Sequence, residues 1–136
     1  MRVLGNILWL IFGGVVLALA YALAGLISFV LVITIPLGIQ SFKLASFALW
    51  PFGRVLIRRP GAGAVSSGIG NIIWFIVAGW WLALTHVVAA ALNAITIIGI
   101  PFAIAHLKLA RVAAWPFGYS IASAAEVPTG TVVVGL

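Results

Sequence analysis

The strongest constraint on this chain is that it is written twice. Residue n laid over residue n+65 needs no gap. Gly5-Asn6-Ile7 falls on Gly70-Asn71-Ile72, Trp9 on Trp74, Gly14 on Gly79, and Leu17-Ala18-Leu19 on Leu82-Ala83-Leu84. Further along, Ile35-Pro36 falls on Ile100-Pro101, Lys43-Leu44-Ala45 on Lys108-Leu109-Ala110, and Trp50-Pro51-Phe52-Gly53 on Trp115-Pro116-Phe117-Gly118. Two unrelated apolar segments agree by chance at Leu and Ala, but not at aligned Trp, Pro, Gly, Asn and Lys. The fold is one unit used twice, and the repeat is read before any single motif.

The unit is made for lipid. Of 136 residues, 65% are apolar and 6% charged, with a mean hydropathy of +1.36, whereas soluble domains carry roughly a quarter charged residues. Two runs, 7–35 and 72–100, contain no charge and exceed the roughly 20 residues that cross a bilayer. The net charge of +6 comes from seven Lys and Arg against one acid, Glu126. These cations flank apolar segments rather than forming a soluble basic face. They therefore report topology and contact with anionic lipid, and nucleic acid is not an expected partner. Arg2 and the apolar run after it imitate a secretory signal, but the run is too long and recurs internally, so it is read as a retained membrane segment.

The chain divides into a first membrane repeat at 1–54, a basic Gly/Ser-rich linker at 55–69, a second repeat at 70–119 and a flexible tail at 120–136. Each repeat holds a long segment and a short one. The first long segment would span ~43 Å as a helix, more than a ~30 Å hydrocarbon core, so tilt, a kink near Gly13-Gly14 or Gly25, or an end emerging into the headgroups is expected. Pro36 is read as closing the first long segment, because proline disfavours helix just before itself, and Pro101 as the start of the second short one. The short elements, 37–50 and 102–115, cross, re-enter or lie on the membrane. Gln40, Lys43 and Ser46 form a polar stripe on the first of them; the matching positions on the second are Ala105, Lys108 and Arg111. If the short elements return across the bilayer, the repeats are parallel hairpins, with Arg2, Arg54, Arg58 and Arg59 on one side. The uncharged Ile33-Thr34-Ile35-Pro36 and Ile98-Gly99-Ile100-Pro101 corners then lie on the other, as the positive-inside rule asks. If they lie on the surface, the repeats are inverted and the charge is split. The parallel arrangement, with cytoplasmic termini, is preferred.

The doubled Ile-Pro, Lys-Leu-Ala and Trp-Pro-Phe-Gly motifs, with Gly79-Trp80-Trp81-Leu82, resemble the YccF family of bacterial inner-membrane proteins over nearly the whole chain except the tail. The resemblance implies a small, multi-pass inner-membrane protein of two related domains. It implies no activity, so no catalytic or binding residue is carried over.

Candidate functional residues come from the polar groups inside apolar segments. Gly14, Tyr21 and Ser28, and their equivalents Gly79, His86 and Asn93, recur every seven residues along one helix face. Such a stripe serves either helix packing, with small residues allowing close approach, or a pathway lining with His86 as its titratable group. Lys43 and Lys108 must snorkel, face water or meet an anion; an anion-attracting vestibule with Arg111 and His106 is the sharper alternative to lipid phosphate. Arg54, Arg58 and Arg59 are further headgroup contacts. Trp50 and Trp115 are read as interfacial anchors, and Trp80-Trp81 as protein-facing packing.

Enzyme motifs are missing: there is no Cys, no carboxylate before Glu126, and no HExxH or phosphate loop, so neither catalysis, nor a cofactor, nor a metal is expected. The expected fold is an all-α integral membrane protein of two tandem repeats, each a long transmembrane helix plus a shorter membrane or interfacial helix. The leading function is a homo-oligomeric channel or transporter for ions or small solutes, against a non-transporting structural or lipid-binding scaffold.

Overall fold

Most of the two apolar segments is helical among the described residues, although the second breaks into a turn over 95–99. A computed structural model describes residues 2–30, 34–59, 63–131 and 133–134; Ile33 of the first corner, Pro60-Gly61 of the basic linker and part of the apolar tip lie outside them. The first repeat is α1 (Arg2–Trp9), a π-helical turn (Leu10–Gly14), α2 (Val15–Val30) and α3 (Ile35–Leu49). The second is α4 (Ala64–Trp74), a π-helical turn (Phe75–Gly79), α5 (Trp80–Ala94) and α6 (Ile100–Ala114). Two helices, Arg2–Val30 with 29 residues and Val65–Ala94 with 30, are long and apolar enough to cross a membrane.

The two π-helical turns explain the odd spacing of buried positions. Asn6 and Trp9 are buried, and so are Gly14, Ala18, Tyr21 and Gly25. Five residues separate Trp9 from Gly14, where a regular helix would place the next inward residue after three or four. One wide turn restores the buried face. The first repeat kinks there at Gly13, whose φ of 140° suits only glycine. The second repeat has Ala78 at that position and stays helical through its turn. The expected kink near Gly13-Gly14 is therefore present.

Each short helix folds back antiparallel along its own long helix. In the first repeat the contact is closest where Gly25 meets Gly38: a Cβ on Gly38 would lie 3.0 Å from the Gly25 carbonyl oxygen. Phe29 and Phe42 stack beside that crossing, with centroids 5.3 Å apart. At the other end, the Asn6 side chain donates to the Phe52 carbonyl at 3.0 Å and accepts from the Phe52 N–H at 3.0 Å. The Trp9 indole N–H donates to the Ala48 carbonyl at 2.6 Å. The second repeat reproduces every bond: Asn71 with Phe117 at 3.0 and 2.9 Å, and Trp74 with Ala113 at 2.6 Å. Pro51 and Pro116 are fully buried, and Gly53 and Gly118, at φ 86° and 85°, turn the chain out of the staple.

Three expectations need correction. Pro36 opens the first short helix instead of closing the long one, as Pro101 opens the second; in the first helical turn proline has no partner to lose and its fixed φ is already helical. The stretch 55–69 is not a plain linker: it carries most of β1 (Arg54–Arg58) and the start of α4. The tail carries the end of β2 (Tyr119–Ser123) and β3 (Val133–Val134), which flank β1 in a three-stranded antiparallel sheet of order β2-β1-β3. Among the described residues this small sheet is the one addition to the expected all-α architecture. The chain divides into two compact units, Met1–Phe52 and Gly53–Leu136, and the sheet belongs to the second.

Because Asn71 satisfies both backbone groups of Phe117, Asn71→Ala is expected to cost about 1–3 kcal/mol, read as a lower denaturant midpoint of the purified protein in detergent. An unchanged midpoint would show that the staple contributes nothing. Gly25→Leu is expected to destabilise more, since even a Cβ there lies 2.7 Å from the Phe42 ring and 3.2 Å from the Gly38 carbonyl.

Candidate functional site

In lipid, helices gain little by hiding apolar surface from one another, so close packing and hydrogen bonds hold the seam of a hairpin together. The predicted stripe lies largely in that seam. Gly14 lies beneath the Trp9 indole and Gly79 beneath that of Trp74, where a Cβ would come within 2.8 Å of the ring. Tyr21 and His86 are buried. Ser28 and Asn93, half-buried at the far end, bond back to the carbonyls of Ala24 and Ala89, each at 2.8 Å. Equivalent residues thus make equivalent bonds, and both of these are spent within one helix.

The structure adds a partnership that periodicity does not show. His86 of α5 and His106 of α6 face each other with Nδ1 atoms 3.0 Å apart and ring centroids 5.3 Å apart. His86 is 2% exposed. At that separation one ring donates and the other accepts, so the neutral pair holds opposite tautomers and shares one hydrogen between the two Nδ1 atoms. The equivalent positions of the first repeat hold Tyr21 and Ser41, both buried. Both hairpins therefore carry polar residues of different chemistry at these positions, and Ser41 donates to the Leu37 carbonyl of its own helix at 3.2 Å. No cluster of three or more His, Cys, Asp or Glu occurs among the described residues.

The cationic residues fall into two groups. Lys43 and Lys108 are half-buried midway along the short helices; Lys43 shares its stripe with Gln40, whose Oε1 is buried without a hydrogen-bond partner. Arg111 is exposed in the last turn of α6, where a positive charge suits the helix dipole. It lies one turn beyond His106, which points instead into the seam toward His86. Arg54, Arg58 and Arg59 gather on and beside β1, with Arg58 opposite Tyr119. Trp50 is half-buried and Trp115 exposed, each just past a short helix. Trp80 and Trp81, read as packing, are 47% and 58% exposed and meet edge to face with centroids 5.4 Å apart.

Asn6, Trp9, Asn71 and Trp74 were visible in the sequence as repeated residues, but their bonding role was not. The signal available was their recurrence in the same register as Trp-Pro-Phe-Gly.

The model of a family described as an inner membrane component domain, YccF, matches the chain twice, over residues 4–54 and 69–119. The inner membrane protein YccF of Escherichia coli (strain K12) is 37% identical over 131 residues, covering 90% of this chain and 88% of that protein. The protein of the same name from Shigella flexneri matches to the same extent. No solved structure matches.

The facing imidazoles predict a non-additive mutant cycle. His86→Tyr and His106→Ser, each made alone, should destabilise the protein by leaving a buried polar partner unsatisfied. Together they place the residue types of the first repeat at both positions and leave no imidazole facing a vacated partner, so they should recover about 1 kcal/mol of the summed loss. Strict additivity in detergent unfolding would show that the rings are not coupled.

Proposed function

The chain belongs to the YccF family of inner-membrane component domains, two in tandem, and from that premise we propose that it is a multi-pass structural module that neither transports nor catalyses. In this reading its two hairpins stand in the inner membrane with both termini in the cytoplasm. Their basic ends grip anionic lipid, and further copies of the chain pack against the apolar outer faces. One observation carries this over a conduit: the polar residues that would line a pathway are buried or already bonded. Gly14 and Gly79 are covered by indoles, His86 is paired with His106, and Ser28 and Asn93 bond their own helices. The faces left outside are apolar, with Phe12 and Val30 74% and 81% exposed. That is the surface lipid or another such helix accepts.

Placement follows from length and charge. A short helix of 15 residues spans ~22 Å, less than the ~30 Å hydrocarbon layer. The more extended Trp-Pro-Phe-Gly stretch makes up the difference, its backbone partly satisfied by the Asn6 or Asn71 side chain, as lipid demands. Arg2 and Asn6 stand at the end where Phe52 arrives, so Arg2 and Arg54 share a side. The positive-inside rule makes that side cytoplasmic.

A second reading, an oligomeric conduit for ions or small solutes, draws on Lys43 and Lys108, two cations within apolar hairpins. Flux separates the readings. Protein in sealed liposomes should give no ion flux above that of empty liposomes; flux that changes with Lys43→Gln or Lys108→Gln would favour the conduit. Topology is checked with single cysteines in this Cys-free chain. Thr34→Cys should react with an impermeant reagent from outside and Ser67→Cys only from the cytoplasmic side. Labelling of both from one side would reverse the parallel arrangement.

A further inference from the structure

The sheet and the second hairpin border a half-open cavity of about 110 Å³, lined by Arg58, Arg59, Ser67, Asn71, Trp115 and Tyr119. A site for one water needs only about 10–15 Å³, so this one has room for a group of several heavy atoms. Its walls are pinned by the backbone. Arg58 stands opposite Tyr119 in the β1–β2 ladder, and the Arg59 N–H donates to the Gly118 carbonyl at 2.9 Å. Asn71 clamps Phe117, the residue before that turn, through two hydrogen bonds. Ser67 and Gly68 close the other side from the first turns of α4.

The lining is cationic and polar at one end and aromatic at the other. It contains two arginines, and the single acid of the chain, Glu126, is not part of it. Guanidinium forks match the geometry of phosphate oxygens and bind them through paired, charge-assisted hydrogen bonds, and a serine hydroxyl adds a rotatable donor. Trp115 and Tyr119 are of the ring type that sits at headgroup depth, and the cavity lies beside the start of the Val65–Ala94 span.

We propose that this cavity binds a phosphate group, that of an anionic phospholipid or a free phosphate, held by Arg58 and Arg59 with the Ser67 hydroxyl as a third donor. The headgroup source rests on the membrane placement proposed above; the phosphate chemistry does not.

The test uses the full chain in phosphatidylcholine nanodiscs, titrated with short-chain phosphatidylglycerol in one arm and inorganic phosphate in the other. Arg58→Gln with Arg59→Gln should weaken binding about tenfold or more, the loss expected for charge-assisted hydrogen bonds. Gly68→Leu should weaken it comparably while leaving every charge in place. A Cβ at Gly68 meets open space and leucine favours helix over glycine, so this variant is expected to fold while adding bulk at a residue that lines the cavity. Arg2→Gln, which removes a charge elsewhere, should change binding less than about twofold. Wild-type binding by Gly68→Leu, or an equal loss in Arg2→Gln, would mean diffuse attraction and overturn the pocket, as would failure of both ligands to bind. Binding of phosphatidylglycerol alone assigns the site to a lipid headgroup, and binding of both assigns it to phosphate at large. Cysteine labelling on the same discs reads the membrane placement separately.

Discussion

The structure depends on how each short helix ends. An α-helix leaves its last carbonyls without intrahelical partners, and in a medium without water each such group costs several kcal/mol. Here the long helix supplies a partner: the Trp9 indole takes the Ala48 carbonyl, and the Asn6 amide takes both polar groups of the Phe52 backbone. With those bonds made, the chain can leave the helix, pass through a buried proline and turn at Gly53 without exposing backbone to lipid. The indole then lies across the next turn of its own helix. That is why Gly14 and Gly79 carry no side chain and why each long helix takes one wide turn beforehand.

The second constraint is the solvent. Apolar side chains on the outer faces gain nothing from turning inward when lipid is as apolar as they are, so specificity falls to close approach and polar pairing. The repeats solve this differently at equivalent places. The first brings backbones together at Gly25 and Gly38 and fills the flank with stacked Phe29 and Phe42. The second has Ala90 and Ala103 there and sets two imidazoles against each other a turn away. One scaffold thus tolerates different seams because the staple at its end is unchanged.

This division explains what could be read from residues alone. The repeat and two helices long and apolar enough to cross a membrane follow from composition and length, and the structure has both, with a kink at Gly13, one of the accommodations that length allowed. The His86–His106 contact was not legible. Each histidine was noted separately, but which face of α6 meets which face of α5 depends on how two helices 20 residues apart in sequence are rotated. Strand β1 was missed for a related reason. Arg54-Val55-Leu56-Ile57-Arg58 is short, bounded by charge and beside small residues, so alone it reads as linker; its partner, Tyr119–Ser123, is remote and sits where a tail was expected.

The register of that pairing says something about the duplication itself. β1 and β2 are repeat equivalents, each following the Gly that leaves a staple, and Leu56 lies opposite Ile121, its own counterpart. Arg54 lies opposite Ser123, the counterpart of Arg58, and Arg58 opposite Tyr119, the counterpart of Arg54. This is the register in which one strand pairs with a second copy of itself about a two-fold axis, the isologous geometry of a symmetric dimer. A single repeat would leave this strand with bare edges, which invite pairing with another chain. Writing the unit twice supplies the partner within one molecule, and β3 covers the remaining edge of β1 along Leu56 and Ile57. It also frees the two strands to diverge: arginines remain at both ends of β1, while β2 carries Tyr119 and Ser123 in their place. The basic, aromatic-rimmed cavity beside α4 follows from that divergence, because Arg58 can stand next to a tyrosine only where the two strands are no longer the same.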